Sequence, residues 1–258
     1  MFEVTARLKI RDGELEGFEQ QAAEIMRLTR EKDTKTLRYD WFVSDDGTQC
    51  EVREGYVDAD GLLEHNDHVK AARDKLFRDH AYDHDMTIYG EPSPALAELM
   101  ERMSGHVGFN RYSLLQSLDG TGRSPKRGRT MFEATAKLKL REGRLEGFKR
   151  QAAEVMRQME EQDEKPLRYD WFLSDDGTEC EVREAYESAD ALLAHQRPIA
   201  EAKTKLFREF VDGHTMAFYD EPSPVLVQSL EAMGTPYRRF SFFQGLEVGS
   251  EVLAAPRA

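Results

Sequence analysis

Shifted by 130 positions, the chain repeats itself: residues 1–100 match residues 131–230 at roughly 57 positions without a gap. The stretch "LRYDWFVSDDGTQCEVREGY" (37–56) returns as "LRYDWFLSDDGTECEVREAY" (167–186). A period this long is a duplicated domain, since solenoid repeats are far shorter. Whatever one copy folds into, the other must fold into as well. The expected layout is a first repeat over 1–116, a linker over 117–130, a second repeat over 131–246 and a tail over 247–258.

Each copy reads as strand, helix, strand, strand, helix, strand. "FEVTARLKI" alternates Phe2, Val4, Ala6, Leu8 and Ile10 with polar neighbours, a period of two that marks a sheet with an apolar face. Leu15, Phe18, Ala22, Ile25 and Met26 then fall along one side of a helix. "LRYDWFVS" and "QCEVREGY" flank an Asp-Gly turn, the signature of a hairpin. Asp58 and Ser188 are suited to cap a second helix, and Ser93-Pro94 and Ser223-Pro224 to open a short third one. The βαββαβ order specifies a four-stranded antiparallel sheet with both helices on one face.

That leaves the other face of the sheet to cover. It carries Thr5, Arg38, Phe42 and Arg53, too apolar to be simply wet and too charged for an ordinary core. Packing of one repeat's sheet on the other's resolves this, and covalent linkage supplies the partner at high effective concentration. The fold class expected is α+β: two ferredoxin-like units packed sheet to sheet as an intramolecular pseudo-dimer. Arg38 and Arg53, with Arg168 and Arg183, are assigned to that assembly, pairing with Glu3 or Asp40.

Composition removes several function classes. A net charge of −13 repels a polyanionic backbone, which argues against nucleic acid. The basic run "GRSPKRGR" (122–129) sits in a Gly/Pro/Ser setting and reads as a solvated linker. Cys50 and Cys180 occupy equivalent positions and read as reduced core thiols. No leader, long apolar run or lipidation motif is evident, so a cytoplasmic protein without a membrane partner is expected.

The segment "YDWFVSDDGTQCEVREGYVDADGLLEHNDHV" resembles the antibiotic biosynthesis monooxygenase domain of the dimeric α+β barrel group, which includes quinol monooxygenases. An aromatic strand, an acidic turn, a strand ending in Glu then an aromatic, and a Leu-Leu-x-His helix occur here in that family's order. "YGEPSP" followed by an aromatic strand is similar to a longer branch of the group. The resemblance covers about 1–116 and 131–244. It implies a sheet-to-sheet dimer of plaits, a small-molecule pocket between each sheet and its helices, and oxidation of phenols, quinols or anthrones by molecular oxygen without flavin or metal. The same architecture also hosts isomerases, dismutases, haem-degrading enzymes and non-catalytic binders.

The residues themselves point to one site per copy. His65 lies on the stripe Leu62, His65, Val69, Ala72, Leu76, and His195 on its equivalent, so both face the core. Each is either a general base or a core histidine tied to a carbonyl. Val52, Glu54 and Tyr56 share a strand face, which turns Glu54 and Glu184 inward, where each needs a donor: His65, Tyr39 or an arginine for Glu54. Contact with His65 makes a catalytic pair, and an outward Glu54 makes an interface ion pair. Tyr39 and Trp41, with Tyr56, form an aromatic wall for a planar substrate; Tyr169, Trp171 and Tyr186 repeat it. Plain core packing explains the same pattern.

A metal is not expected, because His68 and His80 become Pro198 and Phe210 in the second copy. Haem degradation is not carried over either, since Thr5 and Ala6 stand where the family's haem-degrading members use an Asn. The leading expectation is a cofactor-free monooxygenase acting on a small electron-rich aromatic, with His65, His195, Glu54 and Glu184 as catalytic residues. The alternatives are a non-catalytic binding or assembly protein, and an isomerase or lyase using the same base. Further homodimerisation is left open.

Overall fold

The computed structural model describes residues 1–119, 131–162 and 165–246. The expected tail, and the linker beyond residue 119 with its basic run, lie outside the described residues. The first repeat contains β1 (Phe2–Ile10), α1 (Leu15–Lys32), β2 (Thr36–Ser44), β3 (Gln49–Tyr56), α2 (Ala59–Asp79), β4 (Ala81–Tyr89), α3 (Pro94–Met103) and β5 (Gly108–Ser117). The second contains β6 (Phe132–Leu140), α4 (Leu145–Glu160), β7 (Arg168–Ser174), β8 (Glu179–Tyr186), α5 (Ala189–Gln196), α6 (Ala200–Phe210), β9 (Val211–Phe218), α7 (Pro224–Met233) and β10 (Tyr237–Gly245). The fold is α+β, with the βαββαβ order in both copies. Hydrogen bonding joins β1-β3-β2 as one run of strands and β10-β9-β6-β8-β7-β5 as another.

Two compact units emerge, and each borrows from the other repeat. Among the described residues, the first comprises Met1–Met86, Pro92–Gly108 and Phe242–Leu246; the second comprises Thr87–Glu91 and those between Phe109 and Ser241. In the first unit β3 is central, pairing antiparallel with β1 (Ala6 opposite Val52) and with β2 (Trp41 opposite Val52). Phe242 packs against Phe42 at 5.7 Å between ring centroids, and Leu246 N–H donates to the carbonyl of Tyr39. In the second unit β8 is central between β6 and β7, and β5 from the first repeat pairs antiparallel with β7.

Local chemistry sets the element ends. The Asp46-Gly47 turn closes because Gly47 takes φ +68, which costs a glycine nothing, and because Asp46 accepts from the Thr48 N–H at 3.0 Å. Asp58 and Ser188 accept from the N–H groups of Gly61 and Ala191, and Ser93 and Ser223 do the same for α3 and α7. Of the expected α1 stripe, Phe18, Ala22, Ile25 and Met26 are buried, whereas Leu15 lies in the exposed first turn. α2 is one helix of 21 residues, but its counterpart is split in two around Pro198, which has no N–H and whose ring clashes with the preceding turn.

Both faces of β1, β2 and β3 are shielded: Thr5, Phe42 and Arg53 are as buried as Ala6, Trp41 and Val52. Buried guanidinium groups require partners, and Arg38 finds Asp40 at 2.8 Å, Arg53 finds Glu51 at 3.3 Å, and Arg168 finds Asp170 at 2.5 Å. Cys50 and Cys180 are free and buried, and burial pushes both thiols up. Among the described residues no helix is long and apolar enough to cross a membrane.

Candidate active site

In the first unit a cavity of about 40 Å³ lies between the sheet and α2. Its walls include Tyr39, Trp41 and Glu54 from the hairpin and His65 and Arg73 from α2, with Ile25, Val69 and Met86 supplying apolar surface. These side chains converge for simple reasons. Strand alternation and register set Tyr39 opposite Glu54 and Trp41 opposite Val52. The helical period turns His65, Val69 and Leu76 toward them.

His65 is 3% exposed, and its Nδ1 lies 2.7 Å from Oδ2 of Asp33. Asp33 follows α1 in extended conformation, which swings its carboxylate under α2. Thr36 Oγ donates to the same oxygen at 2.7 Å, and His68 Nδ1 lies 2.8 Å from the other. Burial alone would raise the Asp33 carboxyl, but the hydrogen bonds from His65, Thr36 and His68 outweigh it and hold the group below its ordinary value. An ionised carboxylate only accepts, so both imidazoles donate through Nδ1. In the neutral form of His65 this places the lone pair on Nε2.

Glu54 does turn inward, but its hydrogen-bonding partner is Tyr56, whose hydroxyl donates at 2.7 Å. Burial raises its carboxyl, against the opposing pull of His65, the Tyr56 hydrogen bond and Arg73. Tyr39 packs on His65 at 4.5 Å between centroids and edge-on to Trp41 at 5.7 Å. Burial and the neighbouring Glu54 push the Tyr39 phenol well up, so it stays protonated. The indole N–H of Trp41 is buried without a hydrogen-bond partner, and so is that of Trp171. An orphan donor at a cavity wall is a place for a ligand oxygen.

The second repeat assembles the same parts with different chemistry. Tyr186 donates to Glu184 at 2.6 Å, and Tyr186 stacks on His195 at 5.6 Å. Tyr169 lies edge-on to Trp171 at 5.9 Å. His195 Nδ1, however, meets the amide oxygen of Gln162 at 3.2 Å, and Pro198 stands where His68 would be.

Sequence reasoning missed Asp33, whose role depends on α1 ending where it does. The available signal was an aspartate at the same position of both copies, 33 and 163. Of the other histidines of the first repeat, His80 pairs with Glu14 at 2.9 Å, and His84, which also lines the cavity, stacks on Phe77 at 4.6 Å. Among the described residues no three His, Cys, Asp or Glu side chains are grouped to hold a metal ion.

Residues 131–211, within the second repeat, match the antibiotic biosynthesis monooxygenase family. No curated protein matches the chain. Among solved structures, a candidate monooxygenase from Fusobacterium nucleatum is 9% identical with TM-score 0.59, covering 83% of this chain and 89% of its own. One from Lactobacillus acidophilus is 11% identical with TM-score 0.55, covering 83% and 90%. An anthrone oxidase-like protein is 10% identical with TM-score 0.51, covering 99% and 96%. At these identities the likeness is one of fold.

Proposed function

We propose that the chain is a cofactor-free monooxygenase of a small electron-rich aromatic, working chiefly through its first repeat. The observation that carries this reading is the Asp33–His65 pair buried at a cavity with an aromatic wall. In the proposed reaction, Nε2 of His65 takes a phenolic or enolic proton while Asp33 stabilises the imidazolium that forms. The resulting anion gives an electron to molecular oxygen directly. One oxygen atom ends in the product as a carbonyl and the other leaves as water, the substrate supplying all four electrons. The Trp41 indole N–H and the Tyr39 hydroxyl are the donors for the oxygen that becomes charged. Glu54 acts on Tyr56 and, through its field, on His65.

The cavity volume favours a second reading. About 40 Å³ holds a few waters, whereas a cavity of about 150 Å³ accommodates benzene, so a ring enters only when lining side chains move aside. A protein that buries these groups for structure alone would keep such a tight interior. Oxygen uptake separates the two. With a panel of quinols, phenols and anthrones, wild type consumes oxygen and the His65→Ala, His195→Ala double variant loses about 10²–10⁴-fold in rate. Uptake unchanged in the double variant removes the histidine mechanism, and no uptake with any substrate favours the structural reading.

A further inference from the structure

Four of the cavity-lining residues, Asn66, Arg73, Phe77 and His84, are half-buried rather than buried, and they mark its mouth. Tyr39, Trp41, Glu54 and His65 are buried and form its floor. At the mouth Arg73 Nη1 donates to Oδ1 of Asn66, one helical stretch upstream. Its closest carboxylate is that of Asp74 at 3.6 Å, which is exposed and engaged by Lys70 at 2.7 Å. The guanidinium is thus hydrogen-bonded to a neutral amide, and Glu54, hydrogen-bonded to Tyr56, is the cavity carboxyl its field reaches. A cation held this way keeps its charge available to whatever occupies the cavity, whereas a cation held by a buried carboxylate does not.

The second repeat makes the same arrangement from different residues. Lys203 replaces Arg73 and Gln196 replaces Asn66, and Lys203 Nζ donates to Oε1 of Gln196. A shorter cation is matched by an amide one methylene longer, so the pairing survives a change of both members. The charge reaches the cavity: His84 is held neutral down to about pH 4, first by burial and then by the Arg73 charge. In a chain of net charge −13, a persistent cation at the pocket mouth selects what enters.

We propose that Arg73 recognises an acidic group on the ligand, and that the pocket takes a hydroxyaryl carboxylate. The ring lies toward Tyr39 and Trp41, the hydroxyl toward His65, and the carboxylate stays at the mouth on the guanidinium. The hydroxyl placement rests on the monooxygenase reading above; the carboxylate placement rests on Arg73 and Asn66 alone.

Binding is read without turnover from the fluorescence of Trp41, isolated by Trp171→Phe, during titration with 2-, 3- and 4-hydroxybenzoate and the matching hydroxybenzamides. At least one acid quenches saturably and binds about tenfold or more tightly than its amide. Arg73→Gln abolishes that preference, and Arg73→Lys retains it. Asn66→Asp, which neutralises the guanidinium without removing it, abolishes it too and decides the matter if Arg73→Gln does not fold. Equal binding of acids and amides, a preference that survives Asn66→Asp, or no quenching by any probe overturns the proposal. Oxygen uptake is scored separately, so a pocket that prefers acids but consumes no oxygen refutes the monooxygenase reading and leaves this one standing.

Discussion

Asp33 Oδ2 and His65 Nδ1 lie 2.7 Å apart at the buried end of the first-repeat cavity, while Glu54, the carboxylate beside them on the sheet, is bonded to Tyr56. Two inward carboxylates thus have separate duties. Asp33 holds the His65 ring through Nδ1, and Glu54 anchors a phenol. Asp33→Asn is expected to lower kcat about 10–100-fold, the usual effect of removing a carboxylate that orients a working histidine. Glu54→Gln, which keeps an acceptor for Tyr56, is expected to cost less than Asp33→Asn. Steady-state oxygen uptake of the two variants measures this, and the reverse order would assign His65 to Glu54.

The same two groups respond oppositely to pH in stability. Asp33 is depressed in the fold, so its contribution is present above its unfolded value near 3.8 and lost as pH falls through the lower folded value. Glu54 is raised, so its contribution is present below 4.5 and lost as pH rises through the folded value. Glu54→Gln should therefore raise Tm at pH 7–8, by about 2–4 °C per kcal/mol relieved, with the difference vanishing below about pH 4. Thermal melts of wild type and variant across pH 3–8 test the sign. A Tm difference that is constant with pH would show that Glu54 does not titrate in this window.

His84 shares the cavity with His65 but not its electrostatics. Burial, helped by Arg73, holds it at about pH 4, so it is neutral throughout the range in which a catalytic imidazole is used. His84→Gln is expected to change KM through the altered mouth while leaving the acidic limb of the pH–rate profile in place. Asp33→Asn, which removes the carboxylate that Nδ1 of His65 meets, should instead lower the plateau of the profile. Profiles of kcat/KM over pH 5–9 for the two variants distinguish the histidines.

Much of this was legible from periodicity. Alternation in "FEVTARLKI" and "YDWF", the Asp-Gly turn and the 65/69/76 stripe gave the plait and placed His65, Glu54, Tyr39 and Trp41 on facing surfaces. Each of those inferences needs only the period of one element and its neighbour's. What periodicity does not carry is which groups touch across elements. Asp33 reaches His65 because α1 stops at Lys32 and the next residue turns extended, a matter of tertiary path. Tyr56 takes Glu54 because the two lie two residues apart on one strand face, closer in the chain than the His65, Tyr39 or arginine donors expected for it. The strands β5 and β10 were likewise recognised as strands, yet nothing local in them specifies that β5 pairs with β7.

Pro198 tests how far the two repeats have parted. At the equivalent position of the first repeat, His68 sits inside an unbroken helix and reaches Asp33; in the second, the helix stops at Gln196 and resumes at Ala200. If the proline itself makes the break, His68→Pro introduces into α2 a residue that costs about 3 kcal/mol or more in a helix interior, and it also removes a donor to Asp33. His68→Ala removes only the hydrogen bond, at about 1 kcal/mol. Taking roughly 2–4 °C per kcal/mol for a chain of this size, His68→Pro should lower Tm by about 6–12 °C beyond any loss of activity, and His68→Ala by about 2–4 °C. The far-ultraviolet circular dichroism of His68→Pro should lose helical signal that His68→Ala keeps. If the two variants melt together, the split in the second repeat has another cause, such as the Lys203–Gln196 contact across the gap.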